Sequence, residues 1–386
     1  MRVTNLLACC VLFVANLPAF SQSDVFQPGT DVGPGTVLVH SKFGGQIFGF
    51  DIDQNGTEGV LSESQTLSNG KILAAVETFD QKTGNILKVI AETQTQDDFI
   101  TMGVVGASVG LIEYEHEISF LNVQRTFHTI NPLTANAFTG IWKPPIDTKH
   151  LIEPTGVSRN QGTNVAVFAF DNSGNFIPDV FESNVGKNQF GPVVKITDSF
   201  NFGSGFPPMA FDPTTHQAVI GGGDGCFDCL PVIGVVDTLN NSFTEFTGIG
   251  FGFVNGIAID AADGLACTTT EDDATVEFYD LKDLSPAFTT VLPGSDGLQI
   301  FSGADVEFDS VNKVFLVAQP VSSSASTGST IYVYDTKGNL EETLNGFSFS
   351  NAFNVVPMHI ALNPSHRSGF VDGPDAGVTD IQSFTY

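Results

Sequence analysis

Met209-Ala210-Phe211-Asp212, Ile257-Ala258-Ile259-Asp260, Val306-Glu307-Phe308-Asp309 and Ile360-Ala361-Leu362-Asn363 are one pattern written four times, its closing polar residues 48, 49 and 54 positions apart. Within a few residues of each copy come a turn and a second apolar run, at 217–220, 265–267 and 314–317. Val76-Glu77-Thr78-Phe79-Asp80, followed by Thr83-Gly84-Asn85, reads as an earlier copy. A second series lies between these, at 47–51, 165–171, 232–237, 276–280 and 331–335; residues 111–115 fill its gap and 378–386 supply a last member. Runs this short, rich in Val, Ile, Phe and Tyr and broken by Gly, Asn, Asp and Pro, read as strands and turns rather than helices.

A unit of about 45–65 residues with four strands has a common physical solution. One four-stranded sheet has two apolar faces and cannot bury both. Sheets stacked in a ring bury each other, and closing the ring leaves only short protected edges. The expected fold is therefore all-β, a β-propeller of seven blades with six as the alternative, closed by N- and C-terminal strands sharing one blade. A β-helix would repeat at shorter, more regular intervals, and a pair of β-sandwiches leaves the period unexplained.

Gly35-Thr36-Val37-Leu38-Val39, then Ile47-Phe48-Gly49-Phe50-Asp51 with its Asn55-Gly56-Thr57 turn, resembles the opening of lactonase-like and YVTN-type secreted propellers. The segment Ile331-Tyr332-Val333-Tyr334-Asp335, with Lys337-Gly338-Asn339-Leu340 after it, is similar to the same family's repeat. The likeness covers most of the chain as blade pattern. It implies the propeller fold, and it leaves activity open, because that family holds sugar-lactone hydrolases beside surface and binding proteins. No lactonase catalytic motif can be matched here residue by residue.

The 386 residues carry 43 Asp and Glu against 15 Lys and Arg, a formal charge of −28. With so little basic charge there is nothing to displace counterions from a phosphate backbone, so nucleic acid is excluded as the expected partner. Residues 1–21 have the layout of a secretory signal peptide: Arg2, an uncharged apolar run from Leu6 to Phe20, and small residues before Gln22. Lipid attachment at Cys9 is the rival, though it would leave an apolar core of only about three residues. The expected layout is leader 1–21, an N-terminal extension 22–35 and a single propeller domain 36–386, exported, monomeric and not inserted in a membrane.

Candidate chemistry is scattered. Asp51, Asp53 and Asn55, with Gly56, match the first half of a calcium loop, but Gly59 and Ser62 stand where its later ligands belong. Ca²⁺ is the one cofactor expected, against an ordinary polar turn. Cys226 and Cys229, in a Gly- and Asp-rich stretch, suit a small disulfide ring, a pair of inert thiols or half of a metal site. Cys267 reads as a small buried strand residue. Asn240-Asn241-Ser242 is a glycosylation sequon.

In a propeller the inter-blade connections and the loops between second and third strands emerge on one face. Here the connections hold Phe202, Phe206, Phe251, Phe253, Phe349 and Phe353, and the loops hold Asp224, Asp228 and Asp272. An apolar funnel rimmed by carboxylates suits a cationic or amphipathic ligand, small molecule or protein, or a divalent ion. The plainer reading is that such Phe residues wedge between blades. His359 heads an innermost strand near the axis on that face. It is either a satisfied core histidine or, with Asn354 and acidic neighbours, a weak catalytic candidate as metal ligand or general base. Two functions follow: a secreted binding module, and a metal-assisted hydrolase of the lactonase type.

Overall fold

The computed structural model describes residues 32–53, 57–94, 98–105, 109–119, 122–130, 140–143, 153–159, 165–171, 178–196, 208–223, 230–250, 252–270, 275–293, 305–319, 330–347, 359–372 and 380–386. The described strands form seven antiparallel sheets. The first blade contains Gln46–Ile52, Glu58–Thr66, Ile72–Asp80 and Ile86–Thr93, in that order from the axis outward. Five more blades follow, headed by Asp98–Val105, Glu153–Arg159, Met209–Asp212, Val254–Asp260 and Val306–Asp309. Each innermost strand packs against the next around the circle, and the seventh, Ile360–Asn363, returns to the first. The result is the β-propeller.

The last blade closes the ring. Its order runs Ile360–Asn363, Ser368–Asp372, Asp380–Thr385 and then Gly33–His40, so its outermost strand comes from the other end of the chain. Leu38 pairs with Gln382 and Val39 with Ile381; Val37 N–H donates to Ser383 Oγ at 3.2 Å, and Gln382 Nε2 to the Gly35 carbonyl at 2.9 Å.

The recurring aromatic-Asp ending has a local cause. Asp212 takes the N–H groups of Thr214 and Thr215, and Asp309 takes those of Val311 and Asn312. These are Asx turns, in which a carboxylate replaces a backbone acceptor. Four residues past the Asp or Asn comes a residue at positive φ: His216, Gly264, Lys313 and Arg367 after innermost strands, Gly84, Asn241 and Leu284 after third strands.

The same turn therefore ends both kinds of strand, and this corrects the strand assignments made above. Residues 47–51 belong to an innermost strand, 76–80 to a third strand, and both 111–115 and 165–171 to second strands. The motif marks the turn that follows, which among the described residues occurs after both innermost and third strands.

The core consists of the seams between blades. Leu61 and Phe79 of the first blade pack with Val37, Val39, Ala361, Phe370 and Ile381 of the last. Phe278, Phe308 and Phe315 pack where the fifth and sixth blades meet, with the Phe278 and Phe315 rings 5.6 Å apart edge to face. Cys267 is free and fully buried there, as read from the sequence, and burial pushes its thiol well above the ordinary range.

Candidate functional site

Sheet order fixes which loops share a face. Innermost strands start, and outermost strands end, on one side; the loops joining second to third strands open there too. Asp305 immediately precedes Val306–Asp309, and His359 immediately precedes Ile360–Asn363. They hold equivalent places in neighbouring blades: the Asp305 carbonyl accepts Ala318 N–H, and the His359 carbonyl accepts Asp372 N–H.

His359 Nδ1 lies 4.0 Å from Asp305 Oδ2, with the imidazole 49% exposed and the Asp305 side chain 23% exposed. The histidine is therefore a rim residue, which overturns its reading as a satisfied core group. Asp305 Oδ2 accepts Ile360 N–H at 2.9 Å, and Asp372 Oδ1 accepts His359 N–H at 2.6 Å. Asp372 ends the strand Ser368–Asp372 and is buried. Burial drives its carboxyl up to about 7; His359 and its N–H oppose the rise, and Asp305 adds to it. The rim thus offers an exposed imidazole, a half-open carboxylate and behind them a carboxyl that titrates near neutrality. Such a set can hold a cationic group or pass a proton.

Sequence reasoning missed Asp305, because its partnership with His359 spans two blades. The expected neighbour Asn354 lies outside the described residues, as do Phe202, Phe206, Phe251, Phe349, Phe353, Asp224, Asp228, Asp272, Cys226 and Cys229. Phe253 is described and is half-buried next to Val254. Phe347 is 4% exposed in the seam between the sixth and last blades, its ring 6.2 Å from Phe384. That one connection phenylalanine is a wedge.

Asp51 and Asp53 sit on the opposite face, each 2% exposed, while Asn55 is outside the described residues. Asp51 Oδ1 accepts Ile52 N–H at 2.8 Å, and the Asp53 carbonyl accepts Gln81 Nε2 at 2.9 Å. Asp51 pairs with Val60 inside the strand, and the hairpin-tip place held by Asp212, Asp260 and Asp309 in other blades belongs here to Asp53, whose N–H donates to the Glu58 carbonyl at 3.0 Å. Burial holds the nearby Glu58 carboxyl above its ordinary value, with Lys88 opposing and Asp80 and Asp53 adding. Among the described residues no group of three or more His, Cys, Asp or Glu side chains has the geometry of a metal site. Among them, too, no helix is long and apolar enough to cross a membrane.

No family model matches the chain, and a search of curated proteins returns no match. Solved structures do match. The chain is similar to U3-55K (11% identity, TM-score 0.58), with 92% of this chain and 100% of that one aligned. It is similar to the RRP9 WD40 repeats at 11% identity and TM-score 0.58, covering 92% and 99% of the two chains. The Dos1 propeller aligns at 10% identity and TM-score 0.55, over 92% and 95%. At such identities the likeness shows the fold alone, a β-propeller.

Proposed function

We propose that this chain is an exported β-propeller that works as a binding module, taking a cationic or basic partner on the face that carries the inter-blade connections. The observation that carries this reading is the axial rim of Asp305, His359 and Asp372, on a chain with a formal charge of −28. A cleft of one sign concentrates ligands of the other and speeds their encounter. Export rests on the sequence of residues 1–21, and protein recognition accords with the common use of this fold, which by itself does not set a function.

A second reading, hydrolysis of lactones or related esters, draws on the exposed His359 imidazole beside a carboxyl that titrates near neutrality. One set of measurements separates the two. Calorimetry of the purified protein with decalysine should show binding that weakens at least about tenfold in Asp305→Asn and falls with added salt. Absence of binding, or equal affinity in the variant, overturns the module reading. Turnover of simple γ-lactones that vanishes with chelator and returns with Ca²⁺ replaces it with the hydrolase. In the same samples, a Tm raised by millimolar Ca²⁺ and insensitive to it in Asp53→Ala supports an ion at the Asp51–Asp53–Asn55 turn; an unchanged Tm removes that ion.

A further inference from the structure

The chain passes from the outermost strand of the last blade to the innermost strand of the first through residues 41–45, on the same face as the rim but at the closing seam. This crossover is seated on two buried glutamates. Glu63 lies on Glu58–Thr66 and Glu77 on Ile72–Asp80, 1% and 0% exposed. Glu63 Oε1 accepts Phe43 N–H at 3.1 Å and Oε2 accepts Gly45 N–H at 2.8 Å; Glu77 Oε2 accepts Lys42 N–H at 2.9 Å.

Glu77 Oε1 is buried and meets no N–H or O–H donor among the described residues. Strand register sets Glu63, opposite Ala75, diagonally beside Glu77, opposite Leu61, so the two carboxyls share one face of the sheet. A buried carboxyl oxygen with no donor facing it is accommodated when it carries a proton itself. Both Glu63 oxygens accept N–H groups, which leaves Glu77 Oε1 as the oxygen open to a proton. Gly45 allows the close approach, because a Cβ there would stand 2.6 Å from the Ser64 carbonyl oxygen and 2.9 Å from Glu63 Oε2.

We propose that this crossover is a proton-operated latch on ring closure: residues 41–45 stay seated while Glu77, buried beside Glu63, holds a proton, and lift from the seam when that proton is lost.

Burial pushes the Glu77 carboxyl up to about 7; the Lys42 N–H opposes this and Glu63 adds to it. The seated state therefore binds the proton more tightly than a solvated glutamate, whose ordinary value is 4.5. The stabilisation is complete below that value and is lost as pH rises through about 7. The other titratable groups on this side are few. Lys42 lies on the crossover itself, exposed and over the Phe43 ring. Glu92 stands exposed on the outer strand opposite Ala75. Across the seam Asp372 shares a face with Ile381. At the outer end, the His40–Asp380 pair precedes the crossover, and its hydrogen bond raises the His40 imidazole against burial.

The test is hydrogen exchange of the Lys42, Phe43 and Gly45 amides in the full chain, corrected for intrinsic rates. Protection should fall about tenfold or more between pH 5 and 7 and level off above. Glu77→Gln keeps the shape and supplies a permanent N–H toward Glu63, so its protection should change less than about twofold over that range. Asp372→Asn should leave the wild-type profile intact. A flat wild-type profile overturns the latch whether or not Glu77→Gln folds. So does a Glu77→Gln profile that still falls, or one flattened by Asp372→Asn instead.

Discussion

Gly84 shows how much one residue of a repeated turn can carry. It lies at φ +72°, and a Cβ there would stand 2.4 Å from the Leu38 carbonyl oxygen on the closing strand. The left-handed backbone alone costs a non-glycine residue about 1–2 kcal/mol. Gly84→Ala should therefore destabilise by at least that much, since the obstacle is backbone and cannot swing aside. Chemical denaturation would measure it; a loss under about 0.5 kcal/mol refutes the account. At this scale the sequence was only partly legible. Glycine at 84 announced a turn, whereas Leu284 and Lys313 fill equivalent left-handed positions at φ +49° and +59° with nothing in their identity to mark them. Asp305 was invisible for another reason: its partner stands 54 residues away in the next blade, and no local pattern links them.

Strands in this protein are joined to the next blade at their ends as well as along their faces. Lys313, just before Val314–Gln319, reaches back to the fifth blade, where its Nζ lies 2.8 Å from Asp260 Oδ1. Tyr386 follows Asp380–Thr385, and its hydroxyl donates to Asp309 Oδ2 at 2.7 Å. Asp260 is 1% exposed and its Oδ2 has no donor among the described residues, so removal of the lysine leaves a buried carboxylate uncompensated. Lys313→Met should cost about 1–3 kcal/mol, less than a fully buried pair because the lysine is half in water. The loss should nearly vanish when Asp260→Asn is already present; additive losses would deny the coupling. Strand existence was plain from the alternation of apolar runs and turns. Strand position within a blade was not, because innermost and third strands both end in the same Asp-capped turn and therefore look alike in one dimension.

For the molecule as a whole, ring closure depends on Gly33–His40. This strand buries Val37 and Val39 against the first blade, and its loss would leave the third strand of the last blade as an open edge. A chain beginning at residue 41 should unfold at a Tm lower by several degrees and with reduced cooperativity, as calorimetry would show; an unchanged transition would mean that the ring does not need the clasp. The architecture itself was readable because the period of about 48 residues far exceeds any single hairpin and matches one sheet. The rim was only half readable: His359 followed from heading an innermost strand, while its carboxyl partners depend on how neighbouring sheets are set side by side.

The partners Leu38 and Gln382 stand 344 residues apart along the polypeptide. During translation, the ribbon around Leu38 emerges long before the one around Gln382 and has to wait for it. Until residues 380–386 have emerged, the nascent arc carries an uncovered flank of Val37, Val39, Leu61 and Phe79, the time of greatest exposure to proteases and to neighbouring chains.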